Sequence, residues 1–193
     1  RNAGTLSLEN VTVAESTAVG QNAVNGKGGG VYNLGDLTMV GSTIAGNATS
    51  DLGMGVQRDG HLCGGGIYQE SGTLTVTNSL ISQNTALYVG GGLYSAGGSV
   101  VLSATQVLTN AAEGSAGIYV AAGAVDVLSS TLDYNIGGDF GCGSVKNLGN
   151  LTLTGSSVSH NTAQSDGGGI CNQGALTVTG SLLFDNVNRY SGG

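Results

Sequence analysis

The chain is predicted to be all-β and to wind as a single parallel β-helix, a solenoid of about seven coils with three short strands in each. Three observations predict this. The block Leu-x-Val-x-x-Ser-x-Ile-x-x-Asn recurs as LTMVGSTIAGN from Leu37, LTVTNSLISQN from Leu74, VVLSATQVLTN from Val100, VDVLSSTLDYN from Val125, LTLTGSSVSHN from Leu151 and LTVTGSLLFDN from Leu176, with a worn copy, LSLENVTVAES, from Leu6. The closing asparagines, Asn47, Asn84, Asn110, Asn135, Asn161 and Asn186, are spaced by 37, 26, 25, 26 and 25 residues. Gly accounts for 37 of 193 residues and Pro for none. Pro would delete a ladder donor in any strand paired on both sides, whereas periodic Gly suits corners and close approach of coils.

Each coil opens on a Gly-rich lead such as GGGVYNLGD or GGGIYQESGT. The lead carries a short strand centred on Val31-Tyr32, Ile67-Tyr68, Leu93-Tyr94 or Ile118-Tyr119. A second strand follows on the alternating Leu-x-Val pattern, and a third on Ser-x-Ile. No stretch keeps helical spacing, which argues against leucine-rich and ankyrin repeats. The closing Asn is expected to point inward at a corner, where stacked carboxamides satisfy one another and the turn backbone. Alternation places the row Tyr32, Tyr68, Tyr94, Tyr119 outward, as a stripe suited to a sugar ring or a partner, or as a cross-strand ladder.

The pattern GGGIYQESGTLTVTNSLISQNTA resembles the right-handed parallel β-helix repeats of bacterial secreted and surface proteins, of the polymorphic outer-membrane protein and autotransporter-passenger type. The pectate-lyase-like superfamily shares that architecture. The resemblance covers essentially the whole chain. It implies an extracellular or cell-surface location and leaves activity open, because adhesins, stalks, lyases and hydrolases all use this fold.

One domain, residues 1–193, accounts for the chain, interrupted by an insertion at 48–63 that causes the 37-residue step. At roughly 4.8 Å per coil the rod would be about 34 Å long. The formal net charge is −7 with only five basic residues, which excludes nucleic acid and anionic membrane surfaces as natural partners. No run of 18 apolar residues exists to cross a bilayer as a helix. Aligning coils sets Cys142 opposite Gly168, three positions short of Cys171, with Cys63 three repeats earlier. The three cysteines are therefore expected to be packing residues rather than a disulfide or a zinc site. The chain starts and stops within Gly-rich leads and without an initiating Met. The expectation is a segment of a longer or mature secreted repeat protein, or a subunit whose copies associate end to end.

Candidate functional residues form two groups. The residues preceding the closing Asn in three successive coils are Tyr134, His160 and Asp185, a carboxylate beside an imidazole suited to acid/base chemistry. The insertion holds Arg58, Asp59 and His61, a weak ligand or metal constellation on an excursion from a rigid scaffold. No cofactor is expected. Asp51, Asp139 and Asp166, in Gly-rich corners, are where adventitious calcium would sit. Thr75 and Thr77, Thr152 and Thr154, Thr177 and Thr179 form outward pairs of the kind an ice-binding face needs, interrupted by Asp126, Leu128 and Val101. The reading with most support is a non-enzymatic structural or adhesive rod with a glycan or surface partner. A carbohydrate-cleaving β-helix and an ice-binding protein are the alternatives.

Overall fold

The computed structural model of the chain describes residues 1–20, 26–51, 62–139 and 141–190. The described residues form a right-handed parallel β-helix of about seven coils, with all strands in parallel sheets and no helix. Going round one coil, a three-residue strand such as Leu93–Ser95 leads into a five-residue strand, Ser99–Ser103, and then into Gln106–Leu108. A fourth ladder of very short strands, among them Thr85–Ala86 and Ala111–Ala112, follows the closing Asn. Pairing is in register from coil to coil: Val100 lies between Leu74 and Val125, and Val107 between Ile81 and Leu132.

Alternation within the five-residue strands sends Leu37 and Met39, Leu74 and Val76, Val100 and Leu102, Val125 and Val127, and Leu151 and Leu153 inward. They meet the inward residues of the other ladders, such as Ile44, Ile81 and Leu132 on one and Ile118 with Val120 on another, in one continuous core. Each fully buried aliphatic side chain contributes roughly 1.5–3 kcal/mol over an exposed one, and stacking like upon like fills the coil interior.

Two corners of every coil are made by a residue in the left-handed region. The first set is Asn10, Gly41, Asn78, Ala104, Ser129, Gly155 and Gly180; the second is Glu15, Gly46, Gln83, Thr109, Tyr134, His160 and Asp185. For non-Gly residues that conformation costs about 1–2 kcal/mol. In nearly every coil the residue after each corner is polar and turned inward, and its oxygen accepts a backbone N–H from the neighbouring coil. Ser42 N donates to Ser79 Oγ, and Thr105 N to Ser130 Oγ, each at 3.0 Å. Asn47, Asn84, Asn110, Asn135, Asn161 and Asn186 stand in one file, each of the first five giving both its backbone N–H and its Nδ2 to the next carboxamide oxygen. The strained corner and the buried amide thus support each other.

The cysteine expectation is overturned. Cys142 and Cys171 form a disulfide with Cα atoms 5.9 Å apart. Strand register pairs Val145 with Ile170, which sets Cys142 beside Gly167, four residues before Cys171. The lead is not extended there. It curls so tightly that a Cβ placed on Gly167 would lie 3.1 Å from the Ile170 oxygen and 3.4 Å from Cys171 Sγ. The curl closes a distance that an extended chain would have kept open. Cys63 is buried against Val89 as a packing residue.

Candidate functional site

The row Tyr134, His160, Asp185 occupies the left-handed corner just before the Asn file, so its side chains project outward from successive coils. Tyr134 and His160 stack with ring centres 4.9 Å apart and planes within 10°. Phe184 meets the other side of His160 edge-on at 5.4 Å. His160 Nδ1 lies 2.9 Å from Asp133 Oδ1, and its Nε2 lies 3.7 Å from Asp185 Oδ2. The same Asp133 oxygen accepts from Ser159 Oγ at 3.1 Å and from the Tyr134 backbone N–H at 3.1 Å. Three of these partners, Asp133, Ser159 and Phe184, were not singled out from the sequence. They share one outward column, one position ahead of the nominated row, and scanning that column would have found them.

Chemically, Asp133 orients the imidazole and leaves Nε2 facing a second carboxylate rather than a hydroxyl. Ser159 donates to Asp133 instead of to His160, so the three do not form a nucleophile, base and orienter in series. The cluster is an imidazole held between two carboxylates, flanked by two aromatic rings of which Tyr134 is 54% and Phe184 43% exposed.

The Tyr row points away from the core but is not an open stripe. Tyr68 and Tyr94 stack at 4.8 Å and Tyr94 and Tyr119 at 5.2 Å, while Tyr32 meets Tyr68 edge-on at 5.4 Å. The facing sides of Tyr68, Tyr94 and Tyr119 cover one another, and the position beyond Tyr119 in the row is Lys146. Cys63, Val89 and Tyr88, from the leads, close over the row. Lys27 lies over the Tyr68 ring at 4.6 Å and bonds Glu70, which also accepts from the Tyr32 hydroxyl at 3.0 Å. Burial raises the phenol pKa values of Tyr68 and Tyr94, and pushes the Cys63 thiol up to about 12.

Arg58, Asp59 and His61 lie outside the described residues. Of the insertion, Ala48–Asp51 continues the fourth ladder, and Leu62 returns to the body with its carbonyl 3.2 Å from Thr49 Oγ1. The grouping of Cys142, Cys171 and Asp166 has ligand-type atoms within 4.8 Å of one another. With the sulfurs joined, it offers a cation only the Asp166 carboxylate, which Lys146 already pairs at 3.4 Å. On the five-residue ladder, Thr75 and Thr152 fall in one outward row with Val101 and Asp126 between them, so no flat all-Thr face forms.

Fold and corner files together define a β-helix repeat protein. Among known families, residues 155–173 match the model of the Chlamydia polymorphic membrane protein repeat. No curated protein and no solved structure matches the chain.

Proposed function

We propose that the chain is a rod-forming part of a bacterial surface protein, of the polymorphic membrane or autotransporter-passenger kind, with a structural or adhesive role. The observation that carries this reading is that the matched segment, GSSVSHNTAQSDGGGICNQ, covers roughly three-quarters of one coil, from a left-handed corner through the next lead, and its pattern recurs along the rod. The Cys142–Cys171 disulfide supports an oxidising location outside the cytoplasm. Parallel ladders along the axis, each held by the corner files, make a spacer that resists proteolysis and carries side chains outward at a fixed pitch. The strand Ala175–Thr179 pairs on one side only among the described residues, and end-to-end association of copies by strand addition belongs to the same proposal.

The test is surface labelling. Antibodies raised against residues 62–139 label intact cells of the source, and external protease removes the signal. Labelling that requires lysis would refute the surface role. Electron microscopy of the purified chain tests self-association, with discrete single rods at high concentration counting against it. The Asp133–His160 pair favours a second reading, a carbohydrate-cleaving rod. That reading predicts turnover of a polysaccharide that is lost in His160→Ala/Asp185→Ala, and unchanged turnover in the double variant ends it.

A further inference from the structure

The outer face of Tyr134 is the one broad aromatic face in the corner column that the described residues leave open. His160 covers one side, yet the residue stays 54% exposed. Because the two rings are nearly parallel and lie in successive coils, the free face looks along the rod toward the preceding coil. That coil places Thr109 in the column, and the next places Gln83. Thr109 is short, and its hydroxyl is folded back to donate to the Leu108 carbonyl at 2.7 Å. Beyond Thr109 the next residue in the column is Gln83, two coil spacings or roughly 10 Å from the level of Tyr134. A saturated six-membered ring in contact on both faces needs about 7–8 Å, twice the optimal carbon–carbon contact distance. Two coil spacings thus leave room for one sugar ring, with half-buried Leu108 beside Thr109.

The chemistry of the walls selects the occupant. Asp133 Oδ1, one residue before Tyr134, already takes donors from Tyr134 N, Ser159 and His160. Asp185 lies on the far side of His160. The column there offers an aromatic plane on Tyr134 and a carboxamide on exposed Gln83, both neutral, while the Thr109 hydroxyl is taken up by the Leu108 carbonyl. We infer that Tyr134, Thr109 and Gln83 form a subsite for one residue of an uncharged glycan, its C–H face on Tyr134 and its hydroxyls on the Gln83 amide. Among the described residues an acidic sugar finds no cation in this column, on a chain of net charge −7. The inference rests on the adhesive reading and gives it a ligand class.

The experiment presents the purified chain to immobilised neutral gluco-, galacto- and manno-oligosaccharides, to oligouronates and to a basic peptide, followed by titration calorimetry of any retained neutral sugar. Retention of a neutral oligosaccharide is expected. Tyr134→Ala should weaken it at least tenfold. Thr109→Phe should abolish it by filling the gap, and Tyr134 itself shows that this corner accepts an aromatic side chain. Asp126→Asn, on a different ladder, should bind as the parent does. Melting curves separate lost binding from lost folding. Retention of uronates or of the basic peptide alone, no retention of any neutral sugar, or binding untouched by a folded Thr109→Phe overturns the subsite. Surface labelling of cells is independent of all these outcomes, so the rod can stand when the subsite falls.

Discussion

Asn84 gives two hydrogen bonds to a single atom: its backbone N–H and its Nδ2 both reach the Asn110 carboxamide oxygen at 3.0 Å. Asn110 in turn sends its own Nδ2 to the Ile81 carbonyl, also at 3.0 Å. Truncation of Asn110 therefore strands two buried donors and one buried acceptor. Asn110→Ala should cost about 3 kcal/mol, since each orphaned buried group costs roughly 1–3 kcal/mol. The exposed neighbour Gln106→Ala should stay within about 0.5 kcal/mol. Denaturant midpoints compare the two, and equal midpoints would show that the file does not hold the coils.

Ser144 occupies the lead position that is Gly30, Gly66, Gly92, Gly117 and Gly169 in the other coils, and its buried hydroxyl has no partner among the described residues. Ser144→Gly should stabilise the protein by about 1 kcal/mol, because removing an unsatisfied hydroxyl outweighs the entropy of a new glycine. The reverse change, Gly92→Ser, should destabilise it, since a Cβ there would stand 2.7 Å from the Gly117 oxygen. Thermal melts of both variants decide the matter, and the two shifts must have opposite signs.

The Cys142–Cys171 bond spans 29 residues, slightly more than one coil. Chain-entropy reasoning assigns such a loop about 3–4 kcal/mol. Cys142→Ser/Cys171→Ser should lower stability by that order, and a dithiol should do the same to the parent but not to the double variant. Hydrogen exchange should quicken most in residues 141–190. A loss spread evenly over the rod would contradict a local staple.

Alkaline pH should unfold the chain before neutral or mildly acidic pH does. Burial raises the Cys63 thiol from 9.0 to about 12 and moves the Tyr68 and Tyr94 phenols upward as well. A buried acid of this kind contributes its full stability below the unfolded-chain value and loses it as pH climbs toward the folded value. Stability should be level through neutrality and decline above about pH 9, with the decline smaller in Cys63→Ala. Denaturant midpoints taken from pH 7 to pH 11 measure this. A flat profile, or a fall already complete by pH 8, would remove burial as the cause.

Coil number, strand placement and the inward Asn residues were legible because they repeat, and repetition is what a solenoid needs for burial. Cys142 and Cys171 were misread because spacing along a sequence assumes an extended lead, and Gly167 lets the lead curl. The Tyr row was placed on the correct side of its strand, but its cover was not foreseen. Cys63, Val89 and Tyr88 reach over it from the leads, whose path no alternation rule describes. Asp133, Ser159 and Phe184 escaped notice because outward columns are free to vary, so their meeting around His160 is visible only once register is known.

Because both left-handed corners of a coil must line up with those above and below, the smallest viable edit between the five-residue strand and the corner asparagine is a whole turn. Excising residues 85–110 would join Asn84 to Ala111 and leave each remaining side chain facing the way it faced before. Removing a single residue from Ser99–Ser103 would turn the rest of that strand inside out. Length in such a protein thus grows or shrinks mainly in quanta, while fractional additions are absorbed between the corner asparagine and the next lead, as in the 37-residue step, and in the turn before the five-residue strand, which runs from Val120 to Ala124 in one coil and from Asn147 to Asn150 in the next.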